Sequence, residues 1–351
     1  MAKARYQVGV NDNKIWHKDR LVMFLYNCLI NQHKVELQVA PEASSCRANG
    51  LFKHVDNFCQ TSGYPKSNIS IRTGNMIEYH DDYTIIKDAS DTWFEVPVIN
   101  DWLKTNRVET GKNPQLHFGH FIGKSNWNRL WMASILHSKH SDKTFQTFHT
   151  GLNTNYIMKH EDLVDFVGLE DLVQFRCNIL PEVIAFLQTC PRSIEDDIEF
   201  IKNSKHTTYI KQEHYYPIQL PANLNILQFY SNIFVDIVHE TFVRDEVFFG
   251  TEKSWRPILA RRPFITMGAR NHLANLRKLG FKTFNNFWDE GYDEYPMQHR
   301  VWEIEKLLAT ISQWPQSKLV QVLEEMQPIL DHNYEVFTKL THKQIMDTFD
   351  V

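Results

Sequence analysis

Residues 232–268 read NIFVDIVHETFVRDEVFFGTEKSWRPILARRPFITMG. The apolar run ending in Glu240 predicts a buried strand, and the polar loop after it leads to Thr251-Glu252-Lys253, which opens a helix. A second strand is expected over 263–267. This order puts a carboxylate, a lysine and a helix N-terminus near the carboxyl ends of two strands, the edge where open α/β sheets bind ligands. Unpaired N–H groups of a first helical turn beside a lysine suit a phosphate. Taken alone, the same triplet also reads as an N-cap followed by a solvated lysine, because Thr251 caps well and Glu252 suits the helix dipole. What favours a site is the context: Glu240 at the strand end, with Arg256, Arg261 and Arg262 close by.

Strand and helix alternate on either side of this stretch. Strands are expected over 6–10, 35–40 and 68–72, with helical stripes between them over 19–32 (Leu21, Val22, Phe24, Leu25, Cys28, Leu29) and 51–59. That is the pattern of a parallel sheet with crossover helices. Periodicity is weak over 88–113, where the run TNRVETGKNP marks a junction. It separates an N-terminal α/β domain (1–112) from a C-terminal one (113–351). The second series predicts a strand over 115–122, a loop over 123–126, a helix over 127–137 and a strand over 144–149. Residues 161–189 and 195–205 read as helical and 206–221 as irregular. Stripes over 300–311 and 318–330 read as core-facing helices.

With 351 residues the chain can bury two cores. Its net charge of -4 gives no global basic field for nucleic acid or anionic lipid. The five cysteines are scattered without a CxxC pair, and no apolar run approaches a membrane span. The expectation is a protein of the cytoplasm, working peripherally if its acceptor is membrane-linked. No HExxH, P-loop, GxGxxG or GxSxG occurs, and no metal site or cofactor is expected. His117 and His120 share a strand at a spacing that points them to opposite faces, which argues against joint metal ligation.

Residues 230–268 resemble the donor-binding signature of the α-1,3-fucosyltransferase family. The matching elements are FVDIVHE ending at Glu240, FFGTEK through Lys253, and PFITMG from Pro263. Upstream, FIGKSNWNRLWMASIL, with Ser125, Asn126 and Arg129, resembles the family's strand–Ser-Asn–Arg segment. The resemblance implies a GT-B-like α/β fold: two Rossmann-type domains with a cleft between them, the nucleotide-sugar donor on the C-terminal domain and the acceptor on the N-terminal one. It implies Arg129 and Lys253 on the donor diphosphate, Glu252 on ribose hydroxyls and Glu240 by the sugar or nucleotide, with Ser125, Asn126 and Arg256 alongside. It also implies inversion at the anomeric carbon without a metal. Thr241 stands where the family usually has Asn, so the identity of the sugar is not carried over.

Fixed cations aimed at a departing diphosphate stabilise the transition state more than the ground state. An acceptor hydroxyl also needs a general base. Candidates lie after the first three strands: Asp12, Glu42, and the group Glu78, His80 and Asp81, with strand-end position favouring Asp12 and Glu42. The expected activity is sugar transfer to a glycan hydroxyl. Two alternatives stay open. Basic and aromatic residues interleave around Lys124, Trp127, Arg129 and Trp131, which would suit a DNA acceptor whose modified base leaves the stack. A non-catalytic nucleotide- or glycan-binding module is the other.

Overall fold

The computed structural model describes residues 2–8, 10–11, 14–15, 18–39, 45–90, 93, 95–108, 110–122, 127–148, 227, 229–243 and 247–349. The helices expected over 161–189 and 195–205 and the irregular stretch 206–221 lie outside these residues. So do Asp12, Glu42, Ser125 and Asn126.

The first unit runs β1 (Lys3–Val8), a two-residue antiparallel pair β2 (Val10–Asn11) and β3 (Lys14–Ile15), α1 (Lys18–Ile30), β4 (Lys34–Val39), α2 (Leu51–Ser62), β5 (Ile69–Thr73) and β6 (Thr84–Lys87). Strands β1, β4, β5 and β6 form one parallel sheet in chain order. Alternation decides its faces. Val35, Leu37, Val39, Ile69 and Ile71 point into a core with Leu21, Leu25 and Cys28 of α1 and Val55 and Phe58 of α2. The opposite face carries Glu36, buried yet ion-paired to Lys3, to Arg5 at 3.1 Å and to Arg72 at 3.2 Å. Helix α2 stops at Gly63, whose left-handed φ of 71° lets its N–H reach Cys59 O at 3.0 Å.

The second unit comprises α3 (Glu95–Leu103), β7 (Leu116–Ile122), α4 (Trp127–His140), β8 (Thr144–Phe148), β9 (Ile233–His239), α5 (Glu252–Leu259), β10 (Phe264–Met267), α6 (His272–Lys278), α7 (Met297–Ile311), α8 (Gln316–Lys339) and α9 (His342–Phe349). Its sheet is parallel throughout, in the order β10-β9-β7-β8. Every residue of β9 and β10 is buried, as expected of parallel strands covered by helices on both faces. The protein is therefore α/β, with two separate parallel sheets flanked by helices, consistent with a GT-B-like architecture of two units.

Strand β6 and helix α3 fall where the sequence pattern was weak. Thr84-Ile-Ile-Lys is too short to show a period, and α3 is a short helix with Pro97 in its first turn. Val96 and Ile99 of α3, with Met76, Ala89 and Trp93, pack into the second core. The chain end returns to the same place: His342 Nε2 lies 2.9 Å from Trp93 O, and Lys87 Nζ donates to Phe349 O at 2.5 Å. The stripe over 318–330 belongs to a longer helix, α8, that continues through Pro328 to Lys339. Among the described residues, no helix is long and apolar enough to cross a membrane.

Candidate functional site

Among the described strands, β7 is followed on one side by β8, while β9 lies on its other side with β10 beyond. The order therefore reverses between β7 and β9. At such a switch point the segments leaving two neighbouring strands part in opposite directions and open a crevice at their carboxyl ends. Helix α4 enters after β7 and carries Arg129. Residues Glu240 and Thr241 and helix α5 follow β9. The sequence signature and the topological crevice coincide.

Glu240 lies one residue beyond β9 and is 3% exposed. Its Oε2 accepts from Thr251 Oγ1 and its Oε1 from Ser254 Oγ, each at 2.6 Å. Both oxygens thus hold the first turn of α5. Burial works to raise this carboxyl, but His272, Lys253 and the two hydroxyl bonds outweigh it and hold it below the usual carboxylate range. Ser254 Oγ also lies 3.3 Å from His272 Nε2. The expected N-cap is present: Thr251 Oγ1 accepts from Lys253 N at 3.3 Å. With every residue of α5 except Lys253 buried, water has little access to its first N–H groups, and this cap and its carboxylate anchor take that place.

Lys253 Nζ is 2.5 Å from Glu252 Oε1 and 3.5 Å from the hydroxyls of Thr241 and Thr251. Glu252 is 4% exposed and the lysine side chain 16%. Arg129 comes from the β7 side, where its Nη2 donates to Glu240 O at 3.4 Å. The two cations expected at a diphosphate therefore reach the same dipeptide, Glu240-Thr241, from opposite sides of the switch point.

The other arginines are engaged by backbone and core, although Glu252 and Glu240 still act on Arg256. Arg256 is buried under α5, its Nη2 on Phe121 O at 3.4 Å and its guanidinium 5.7 Å from the Phe121 ring centroid. Burial raises the nearby Asp236 carboxyl to about 7, against the pull of Arg256 and a 2.6 Å hydrogen bond from Tyr230. Arg262 donates to Tyr230 O at 2.8 Å and to Gly111 O, and Arg261 stacks 3.8 Å from the centroid of Tyr334. These groups hold backbone and core. Arg300, which no sequence pattern marks, donates to Val243 O at 3.0 Å, Tyr295 O at 2.7 Å and Gly268 O, tying together the segments that leave β9 and β10.

His117 and His120 face opposite sides of β7 as their spacing requires. His117 Nε2 meets Trp314 O at 2.9 Å, and His120 Nε2 meets His239 Nδ1 at 3.1 Å. Burial lowers His120 to about 3 and His239 well below the ordinary value, so both rings are neutral at pH 7. Among the described residues, no group of three or more His, Cys, Asp or Glu is placed to hold a metal ion.

The first unit meets the site through the loop after β5. Asn75 Oδ1 accepts from Phe248 N at 2.9 Å, and Met76 N donates to Phe248 O at 2.9 Å. Phe248 stands three residues before the Thr251 cap. In that loop Glu78, 6% exposed, accepts from Cys46 N at 2.7 Å and Asn75 Nδ2 at 3.3 Å through one oxygen, Oε2. His80 packs on Phe52 with centroids 4.2 Å apart, and exposed Asp81 pairs with Tyr79. Ser254, His272 and Asn75 are not marked as site residues by the sequence, where Asn75 reads only as part of a turn. Only Ser254 had a usable signal, lying one helical turn from Thr251 on the same face.

No protein-family model matches the chain, and no curated protein matches it. Among solved structures it is similar to one described as "Crystal structure of GtfA/B complex", at 13% identity and a TM-score of 0.31, over 97% of this chain and 65% of that one. The chain thus spans just under two thirds of that protein's length, and a likeness this distant assigns no role to any residue.

Proposed function

We propose that the protein transfers a sugar from a nucleotide diphosphate-sugar to a hydroxyl acceptor, a glycan in the first instance, with inversion and without a metal. The observation that carries this is the convergence of Lys253 and Arg129 on Glu240-Thr241 at the switch point of the second sheet. Two cations fixed on separate elements, beside a capped helix start, suit the growing charge of a departing diphosphate. In this arrangement Glu252 releases Lys253 to the phosphates and takes the ribose hydroxyls, and the first unit presents the acceptor. The described cysteines, Cys28, Cys46 and Cys59, are free thiols, which suits a reducing compartment.

The test is thermal melting with a panel of nucleoside diphosphates and their sugar conjugates. A ligand that binds only the folded form at a hundred times its Kd adds about 2.7 kcal/mol of stability. Wild type is expected to be stabilised by one base and to release its diphosphate. Lys253→Ala, which leaves buried Glu252 without its cation, should melt below wild type unliganded and lose most of the ligand shift. A lysine variant that keeps the full shift rules out the phosphate role. Binding with no release of diphosphate on any acceptor points to a non-catalytic module, and turnover only on duplex DNA points to a modified base as acceptor.

A further inference from the structure

We propose that the Tyr295 ring is the platform on which the base of the nucleotide donor stacks, an assignment that rests on the sugar transfer proposed above. Five large hydrophobic side chains are exposed among the described residues: Met23, Tyr26, Ile30, Tyr79 and Tyr295. The first four belong to the first unit. Tyr295, 46% exposed, is the one in the unit that carries Lys253 and Arg129. Among the described residues its ring meets one other ring, near-perpendicular to His299 with centroids 6.5 Å apart, and His299 in turn packs on Trp302 at 5.7 Å. Such a contact leaves a ring face open to a planar partner.

The backbone under this ring is fastened to the edge where the phosphate cations stand. The Arg300 guanidinium donates to Tyr295 O at 2.7 Å, to Val243 O at 3.0 Å and to Gly268 O. Gly268 is the residue after β10, and Val243 lies two residues past Thr241, whose hydroxyl is 3.5 Å from Lys253 Nζ. Two residues reach at most about 7 Å. Tyr295 is therefore one guanidinium and two residues from the proposed diphosphate site, a gap that the ribose between base and phosphates can bridge. The segment is also held from its other side. Asp293 accepts from Leu273 N at 3.0 Å and Ala274 N at 3.1 Å in the first turn of α6, and its carbonyl accepts from Asn271 N at 2.8 Å. Stacking on a ring whose backbone is already ordered costs little further ordering.

The base is the part of the donor that this surface fits. Every base presents a π-face to an aromatic ring, whereas the diphosphate needs cations and finds Lys253 and Arg129. Beside Tyr295 stands exposed Glu294, a carboxylate that would repel a phosphate. Stacking grips all bases alike, so Tyr295 sets affinity for the nucleotide rather than the choice among bases. A pyranose ring of the acceptor could also lie on a tyrosine, and the experiment separates the two.

The experiment uses the full chain in calorimetric titrations with GDP, UDP, ADP, CDP and dTDP, and with inorganic pyrophosphate as the same ligand without base or ribose. Tyr295→Ala should melt like wild type, because the side chain is exposed. Its Kd for the nucleoside diphosphate that wild type binds should rise about 5- to 150-fold, the range for one base–aromatic stack. Its affinity for pyrophosphate should not change, and Tyr295→Trp should bind the nucleotide as wild type does. A Tyr295→Ala protein that binds the nucleoside diphosphate as tightly as wild type overturns the platform and leaves sugar transfer standing; a ring that serves the acceptor gives this result. Equal weakening of pyrophosphate and nucleotide overturns it too, because the residue then only holds its loop. If wild type binds none of the five nucleotides, the donor reading fails and the platform with it.

Discussion

Replacing Glu240 by Gln tests whether this carboxylate works by holding α5. The side chain keeps its volume but loses its charge and one acceptor. In the protein both oxygens accept hydroxyl bonds at 2.6 Å, from Thr251 and Ser254, in a group 3% exposed. A hydrogen bond to a buried charge contributes about 1.5–3 kcal/mol, and the glutamine must give up at least one such bond. For a chain of this size that corresponds to a fall in Tm of roughly 2–4 °C. The pH dependence has a definite sign. The folded carboxyl is held below its unfolded value, so its contribution is present above the unfolded pKa and is lost as pH falls through the folded one. Glu240→Gln should therefore flatten the acid side of the stability profile as well as lower the plateau. Urea unfolding from pH 3 to pH 8 measures both, and melting with nucleoside diphosphate shows whether a loosened helix start also costs affinity. A variant with wild-type stability and an unchanged acid limb would refute the anchoring role.

Two further outcomes are expected. A Cβ at Gly250 would overlap the indole of Trp255 and crowd Trp93 just before the Thr251 cap, so Gly250→Ala should destabilise by about 1–3 kcal/mol and weaken nucleotide binding. Chemical denaturation with and without nucleoside diphosphate checks it, and an unaffected protein would show that the loop tolerates a side chain. Asp236, raised by burial to about 7, keeps its proton in the fold between pH 4 and pH 7, where the unfolded chain has lost it. Its contribution to stability therefore falls as pH rises across that window, and Asp236→Asn should lose less stability than wild type between pH 5 and pH 8. Parallel urea midpoints for the two proteins across that range would contradict the buried, protonated state.

The sequence alone determined most of the described elements and one half of the candidate site. Thr251 caps α5 because a hydroxyl before an amphipathic turn has few other uses, and the largely apolar, β-branched stretch of β9 reads as a covered strand. Both are local facts, written in neighbours along the chain. Even the outward turn of His117 away from His120 followed from the two-residue period of a strand. Tertiary structure decided the rest. That Arg129, 124 positions before Lys253 by their numbers, reaches the same dipeptide depends on β7 and β9 pairing side by side, and pairing is not a local property. Arg256 showed the same limit in reverse. The resemblance sets it beside the donor, and only the fold shows it beneath α5 on Phe121 O, with Asp236, Glu252 and Glu240 acting on it. Glu78 looked like any turn residue until β6 closed the sheet behind it and Asn75 bridged its loop to Phe248. Local chemistry names which residues can bind or titrate, but their burial and their hydrogen-bond partners arise only when distant segments pack.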